Sequence, residues 1–364
     1  MMKVSWITPV WFIDVDILIV PELSKSFSIC WTIIGKTEPS VFSYLKGMES
    51  RSLSVKFIPV KSRWFLPNSF FEYKRLFRRI RNEGAEIIYV DMAPLLYAYY
   101  ASLYVLPIEK TVFATHNVKT PKGAKMENMA RYYMKKLLNR YHNFQVFSMN
   151  QRDFLHQQVK GKNVLYAPLA LKKYGSKVAR QLHFGYLNFL SFGHIRHYKR
   201  IDILIEAAQQ LFEEKKMKFV VTIAGNCPSW SEYSKLIRYP ELFDLHIGYI
   251  DDNNVADFFS NADYLVLPYQ DLAQSGAITV AFNYGVPVIT SDIPQFQEFV
   301  IEGKNGYMFK TEDVQSLKMV MQKALMQSKE EYSSLVVSTD QYVKENYSLD
   351  TIVRRYISYF NSFK

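Results

Sequence analysis

Short segments rich in β-branched and aromatic residues alternate with longer stretches of helical period along the whole chain. The short segments are KVSWIT, EIIYVD, KTVFAT, NFQVFS, NVLYAP, LNFLSFG, KFVVTIAG, DLHIGY, ADYLVLP and VPVIT. Strand–helix alternation of this kind predicts parallel sheets covered by helices, the α/β class. Runs such as YLVL carry no polar alternation, as expected of strands buried on both faces. No internal repeat and no low-complexity tract interrupts the pattern. A basic, loop-rich break falls around Leu171 to Leu182, and a fresh strand, YLNFLSFG, starts at Tyr186. A boundary is therefore expected near 173–183, with a first domain over 1–175 and a second over 183–345. The last amphipathic helix starts at Leu349 and has no strand after it, so 349–364 is expected to pack back on the first domain. Doubly wound domains bind ligands at the carboxyl ends of their strands. Two of them facing across a cleft hold two substrates, which suits a transferase better than a one-ligand binder.

Within this pattern the stretch YQDLAQSGAITVAFNYGVPVIT, residues 269–290, reads as strand, loop, helix, strand. Gln274 and Ser275 stand at the start of the helix, Ala277 to Tyr284 forms its apolar body, and Gly285 with Pro287 stops it. The start of such a helix presents unpaired N–H groups and a partial positive charge to anything bound at the sheet edge. Further upstream the strand NFLSFG ends at Gly193. A basic loop follows, from His194 through Arg196 and Lys199 to Arg200, and Asp202 sits in the first turn of the next helix. Arg196 and Lys199 offer a guanidinium fork and a mobile ammonium at a strand end, suited to a phosphate. An exposed basic loop is the plainer reading.

The length of 364 residues fits two ordinary domains. Ile87 to Ile108 is the most apolar stretch, but Asp91 and Pro94 interrupt it. A strand followed by a buried helix fits it better than a membrane span. The N-terminal MMKVSWITPVWFIDVDILIV carries Asp14 and Asp16 and no small-residue cleavage site, so it reads as a first strand and loop rather than a signal peptide. The two cysteines, Cys30 and Cys227, are expected as free thiols in a reducing, cytoplasmic setting. The seven histidines show no metal-ligand spacing, and Asp14-Val15-Asp16 reads as loop, so no metal and no cofactor is expected.

Charge changes the picture of partners. The net +11 is uneven: residues 1–180 hold 28 Lys/Arg against 12 Asp/Glu, and residues 181–364 hold 17 against 22. The bases cluster at 74–81, 131–140 and 172–180, interleaved with aromatics. Such faces are either simply solvated or dock on an anionic membrane surface, placing the protein on the inner face of the cell membrane. No nucleic-acid module is visible, and no nucleic-acid partner is expected.

The segments FGHIRHYKRIDILIEA, ADYLVLPY and QSGAITVAFNYGVPVITSDIPQFQEFVIEGKNGYMF, in this order and spacing, resemble the donor domain of retaining glycosyltransferases of family 4. The resemblance covers residues 186–330 and is weaker before 180. It implies the GT-B fold, with two Rossmann-like domains, and sugar transfer from a nucleotide diphosphate sugar to a carbohydrate or lipid-linked acceptor. It further implies that Arg196 and Lys199 grip the diphosphate and that Gln274, Ser275 and Gly276 receive it. Gly193 and Gly225 would lie near the nucleotide, Tyr249, Ile250 and Asp251 near the base, and Glu298 in the turn beyond. His116, in ATHN after a strand, matches a histidine that faces the donor sugar. The family's reaction is expected to use no metal and no protein base, the leaving diphosphate taking the acceptor proton.

Two departures stand out. The family's usual paired glutamates would fall at Leu272 and Val280, so sugar and ribose recognition does not carry over. The glycine-rich loop after the first strand is replaced by Pro9-Val10-Trp11-Phe12. A non-catalytic nucleotide-sugar binder and a GT-B-type nucleotide-sugar epimerase are the alternatives. An oxidoreductase is disfavoured because no G-x-G-x-x-G opens a strand–helix unit.

Overall fold

The computed structural model describes residues 1–61, 66–91, 96–118, 127–171, 174–175, 186–215, 218–271 and 276–363. Leu272, Gln274, Ser275, Pro94 and most of the 172–180 cluster therefore lie outside the described residues. The chain divides into two compact units: residues 1–170 with 349–364, and residues 171–348.

The first unit is built on seven parallel strands: β1 (Lys3–Pro9), β2 (Ser28–Ile34), β3 (Leu53–Ile58), β4 (Ile87–Asp91), β5 (Thr111–Thr115), β6 (Asn143–Val146) and β7 (Asn163–Tyr166). Their order is β3-β2-β1-β4-β5-β6-β7, with Trp6 opposite Trp31 on one side and Tyr89 on the other. Successive strand residues point to opposite faces. Ile87 and Tyr89 accordingly join one core and Ile88 and Val90 the other. Both faces are buried, which explains the uninterrupted apolar runs.

One face is covered by the amphipathic helices Asn68–Asn82 and Glu127–Arg140 and the apolar helix Leu96–Val105, whose apolar residues enter a shared core. The other face receives the C-terminal helix Leu349–Asn361, which buries Ile352, Val353, Tyr356, Tyr359 and Phe360. Trp6 stacks on Tyr89 with centroids 3.7 Å apart and meets Tyr356 at 5.7 Å and Phe360 at 6.3 Å. Each fully buried side chain of this size contributes about 1.5–3 kcal/mol of transfer free energy. Among the described residues no helix is long and apolar enough to cross a membrane.

The Asp14-Val15-Asp16 segment is not loop. After β1 and a 3₁₀ turn at Val10–Phe12, Ile13–Asp16 forms a helical turn and Asp16 is buried. Trp6 Nε1 donates to Asp16 Oδ2 at 2.9 Å, Thr8 Oγ1 donates to the same oxygen, and Trp31 Nε1 donates to Thr8 Oγ1 at 2.9 Å. Three buried donors from β1 and β2 thus supply what a loop would have taken from water.

The second unit holds six parallel strands: β8 (Leu187–Phe192), β9 (Phe219–Gly225), β10 (Phe243–Ile247), β11 (Tyr264–Leu267), β12 (Val288–Ser291) and β13 (Gly306–Phe309). Their order is β10-β9-β8-β11-β12-β13. The helix Gly276–Asn283 connects β11 to β12 and is apolar around most of its circumference, because it lies buried. It ends in a Schellman turn: Val286 N donates to Ala281 O at 2.9 Å and Gly285 N to Phe282 O at 3.1 Å. Gly285 holds φ +66, and an added Cβ would meet Asp340 Oδ1 at 2.5 Å, so this turn admits no side chain.

Candidate functional site

In the second unit the chain order of the strands reverses between β8 and β11, where open α/β sheets leave a crevice. A cavity of about 400 Å³ opens there. Its floor is the carboxyl ends of three strands, at Gly193, Gly225 and Gly248. These ends are tied together: Gly193 N donates to Ala224 O at 2.9 Å and Gly248 N to Gly225 O at 3.1 Å. Gly225, at φ +146, approaches so closely that a Cβ would stand 2.2 Å from the Gly193 carbonyl oxygen. Tyr249, Ile250 and Val255 form an apolar wall, and Gly276, Ala277 and Val280 bring in the helix start.

Lys199 is the cation of the cavity. It ends a 3₁₀ turn, His197–Lys199, that is held from both sides. Arg200, in the left-handed region at φ 48, pairs with Asp202 at 2.8 Å and with Glu312, and Gln270 N donates to Tyr198 O at 2.9 Å. The Lys199 ammonium lies over the Tyr269 ring, 5.1 Å from its centroid. Burial, and then the charge of Arg196, push its pKa down to about 8. An ammonium so desolvated gains most from an anionic ligand that restores a charge partner. The same burial pushes the Tyr269 phenol up, so it remains a neutral aromatic surface.

Six of the residues singled out in the sequence line this cavity: Gly193, Lys199, Gly225, Tyr249, Ile250 and Gly276. Arg196 is exposed and outside the lining, near enough to act on Lys199 through charge. Glu298 also lies outside, at the end of the helix Pro294–Gln297, where its carbonyl accepts from Tyr342 Oη at 3.3 Å. Asp251 caps the next helix through Asn253 N at 2.9 Å. Its neighbour Asp252, not singled out in the sequence, also lines the cavity, as does the buried, apolar Val280.

His116 belongs to the first unit. There too the strand order reverses, between β1 and β4, and His116 follows β5 beside that point. His116 Nε2 lies 2.8 Å from Asp91 Oδ1, at the end of β4. The ring is sandwiched between Phe12 at 4.1 Å and Phe147 at 4.3 Å, both nearly parallel. Phe12 comes from the 3₁₀ turn Val10–Phe12 that follows β1. Burial raises the pKa of Asp91, against the bond from His116. It raises that of Asp16 well above the usual range, with the Asp91 charge adding to the rise. The family resemblance points to His116 alone. Asp91, Asp16, Phe12 and Phe147 join it only through strand order.

Residues 181–336 match the family described as Glycosyl transferases group 1. No curated protein matches the sequence. Among solved structures, a glycosyltransferase from Rickettsia africae ESF-5 is similar at 13% identity and TM-score 0.71, over 100% of this chain and 98% of the other. Anabaena HepE in complex with UDP and glucose is similar at 12% identity and TM-score 0.71, over 100% of both chains. Sucrose-phosphate synthase from Thermosynechococcus elongatus is similar at 14% identity and TM-score 0.71, over 100% and 99%. The fold is GT-B. The match to group 1 glycosyltransferases lies wholly within the second unit.

Proposed function

We propose that the chain moves a hexosyl group from a nucleoside diphosphate sugar, bound in the cavity of the second unit, to a carbohydrate or lipid-linked acceptor with retention. The observation that carries this reading is that the half-buried Lys199 and the start of the helix Gly276–Asn283 line one cavity of about 400 Å³. In the reaction the bond from the anomeric carbon to the diphosphate oxygen breaks, and one to the acceptor oxygen forms on the same face. The acceptor proton passes to the leaving diphosphate. Lys199, Arg196 and the helix N–H groups, with Gln274 and Ser275 just before them, stabilise the departing charge. This reading calls for no metal. Tyr249 and Ile250 take the base, and Asp252 is placed to accept from ribose hydroxyls in place of a glutamate at Val280. His116 hydrogen-bonds a sugar hydroxyl. The complex of HepE with UDP and glucose supports a UDP-type donor.

A screen of UDP- and GDP-sugars by thermal shift tests the donor, since a ligand of the native state raises its melting temperature. Donor hydrolysis with and without acceptor then separates a transferase from a mere binder. Gly276→Val is the matching variant. A Cβ at Gly276 meets nothing within 4 Å, so the fold is expected to be kept while the larger side chain obstructs the anion. Unchanged melting temperature with at least tenfold weaker nucleoside diphosphate binding is the expected result; full affinity would remove this helix start from the site.

The same reading extends to location: a cytoplasmic enzyme, peripheral on anionic membrane and serving surface polysaccharide or glycolipid synthesis. The clusters at 74–81 and 131–140 lie on two helices of one layer, with Leu96–Val105 packed against both. Arg75, Arg78, Lys135, Lys136 and Arg140 are exposed there, as are Phe71, Tyr104 and Tyr132. Each base near an anionic surface contributes about 1 kcal/mol. The triple change of Lys135, Lys136 and Arg140 to glutamine is thus expected to weaken flotation with phosphatidylserine vesicles by roughly 100-fold at low salt. Donor binding should be untouched. Wild-type protein that ignores the vesicles would leave these as solvated faces.

A further inference from the structure

Beside His116, the switch point of the first unit holds two buried carboxyls, Asp16 and Asp91, to which the proposed function gives no role. We propose that Asp91 is a positioning residue for His116, holding its imidazole with Nε2–H toward the sheet so that Nδ1 is the nitrogen offered to a sugar hydroxyl. The proposal deepens the transferase reading and rests on it for the identity of the ligand as a sugar.

Phe12 and Phe147 stack on the two faces of the ring, with interplanar angles of 17° and 24°. They fix the plane of the imidazole. They do not fix which edge faces the sheet, because a half-turn about the Cβ–Cγ bond leaves the plane unchanged. That choice falls to Asp91, whose Oδ1 lies 2.8 Å from Nε2. A carboxylate only accepts, so the nitrogen facing it must carry the proton. The neutral ring then presents a bare Nδ1, an acceptor for a hydroxyl.

Asp91 is 0% exposed and the His116 side chain 16%, so one partner anchors and the other reaches solvent. Among the described residues Asp91 Oδ2 has no hydrogen-bond partner, which leaves His116 as the main stabiliser of its charge. Asp16 is the second buried carboxyl. It accepts from Trp6 and Thr8 and feels the charges of Asp91 and Asp14. Two buried carboxylates so close do not both ionise readily. The bond from His116 lowers the pKa of Asp91, while the Asp91 charge raises that of Asp16, so His116 favours the anion at the carboxyl that orients it.

The test is the protonation pattern of the ring, read from imidazole ¹⁵N shifts in the full-length labelled protein, with His116→Gln used for assignment. Wild type is expected to show His116 protonated at Nε2 and bare at Nδ1. Titration with methyl hexopyranosides should move the Nδ1 resonance and leave Nε2 nearly still. Asp91→Asn keeps the shape and removes the charge. Its amide meets either ring state, so a mixture of tautomers and about tenfold weaker glycoside binding are expected. A wild-type ring protonated at Nδ1 overturns the proposal without any variant. So does an Asp91→Asn protein with unchanged ring shifts and unchanged glycoside affinity. Failure of the transferase reading looks different: no donor turns over, while the His116 shifts remain as expected.

Discussion

Lys199→Ala is expected to weaken nucleoside diphosphate binding by about 10- to 150-fold, the equivalent of the 1.5–3 kcal/mol carried by a charge-assisted hydrogen bond. The affinity of the wild type should also depend on pH in a way that isolates this residue. With a free-protein pKa of about 8, Lys199 is mostly charged at neutrality and loses its proton as pH rises through that value. An anion that requires the charged form raises the pKa in the complex. Binding above pH 8 must therefore take up a proton, and affinity falls as pH rises, approaching tenfold per unit. Isothermal calorimetry with UDP or GDP between pH 7 and 9, in buffers of different ionisation enthalpy, measures both. Lys199→Arg should flatten the dependence, since a guanidinium stays charged throughout, and Lys199→Ala should abolish the proton uptake. A wild-type affinity that is flat across this range would detach Lys199 from the ligand.

Gly225→Ala is expected to be severely damaging to the second unit. The new Cβ would stand 2.2 Å from the Gly193 carbonyl oxygen, a backbone atom with no rotamer to relieve the overlap, and φ is +146. Positive φ at a residue with a side chain costs about 1–3 kcal/mol and overpacking about the same again. The sum, roughly 2–6 kcal/mol, corresponds to a fall of about 4–24 °C in the melting temperature of a unit this size. Separation of the β8 and β9 ends also deforms the cavity floor, so nucleotide binding should be lost even where folded protein remains. Scanning calorimetry with and without nucleoside diphosphate checks both; a melting temperature within 2 °C of wild type would contradict the close approach. That threshold is about half the shift expected for a single kcal/mol in a smaller domain.

The central strands were legible because both their faces are buried, which writes them as unbroken apolar runs. Three strands fall outside the segments named at the start. The edge strands β3 and β13 are short or half-exposed, which dilutes the run: Leu53–Ile58 carries Lys56, and Gly306–Phe309 is four residues behind a turn. For β2 the cause is different. Only the short helices Ile13–Asp16 and Ile19–Leu23 separate it from β1, too brief for a helical period to register and signal the alternation. The cavity residues of the second unit were legible for a local reason. Gly193, Gly225, Tyr249 and Ile250 lie at or just past strand ends, Lys199 ends the turn after β8 and Gly276 starts a helix, and family motifs mark the same places. The Asp91–His116 assembly was not. Asp16, Asp91 and His116 are brought together by β4 lying between β1 and β5, and nothing in the spacing of three distant residues encodes that neighbourhood.

The C-terminal helix Leu349–Asn361 completes the core of the unit whose first strand is Lys3–Pro9. During synthesis this imposes a schedule. The second unit, closed by residue 348, has its whole sequence made before the last helix begins. The first unit, although translated earlier, must wait with Trp6, Tyr89 and Phe27 uncovered until Tyr356 and Phe360 emerge. Domains usually mature from the N-terminus onward. Here the order is inverted, and the half that holds His116 is the last to lock.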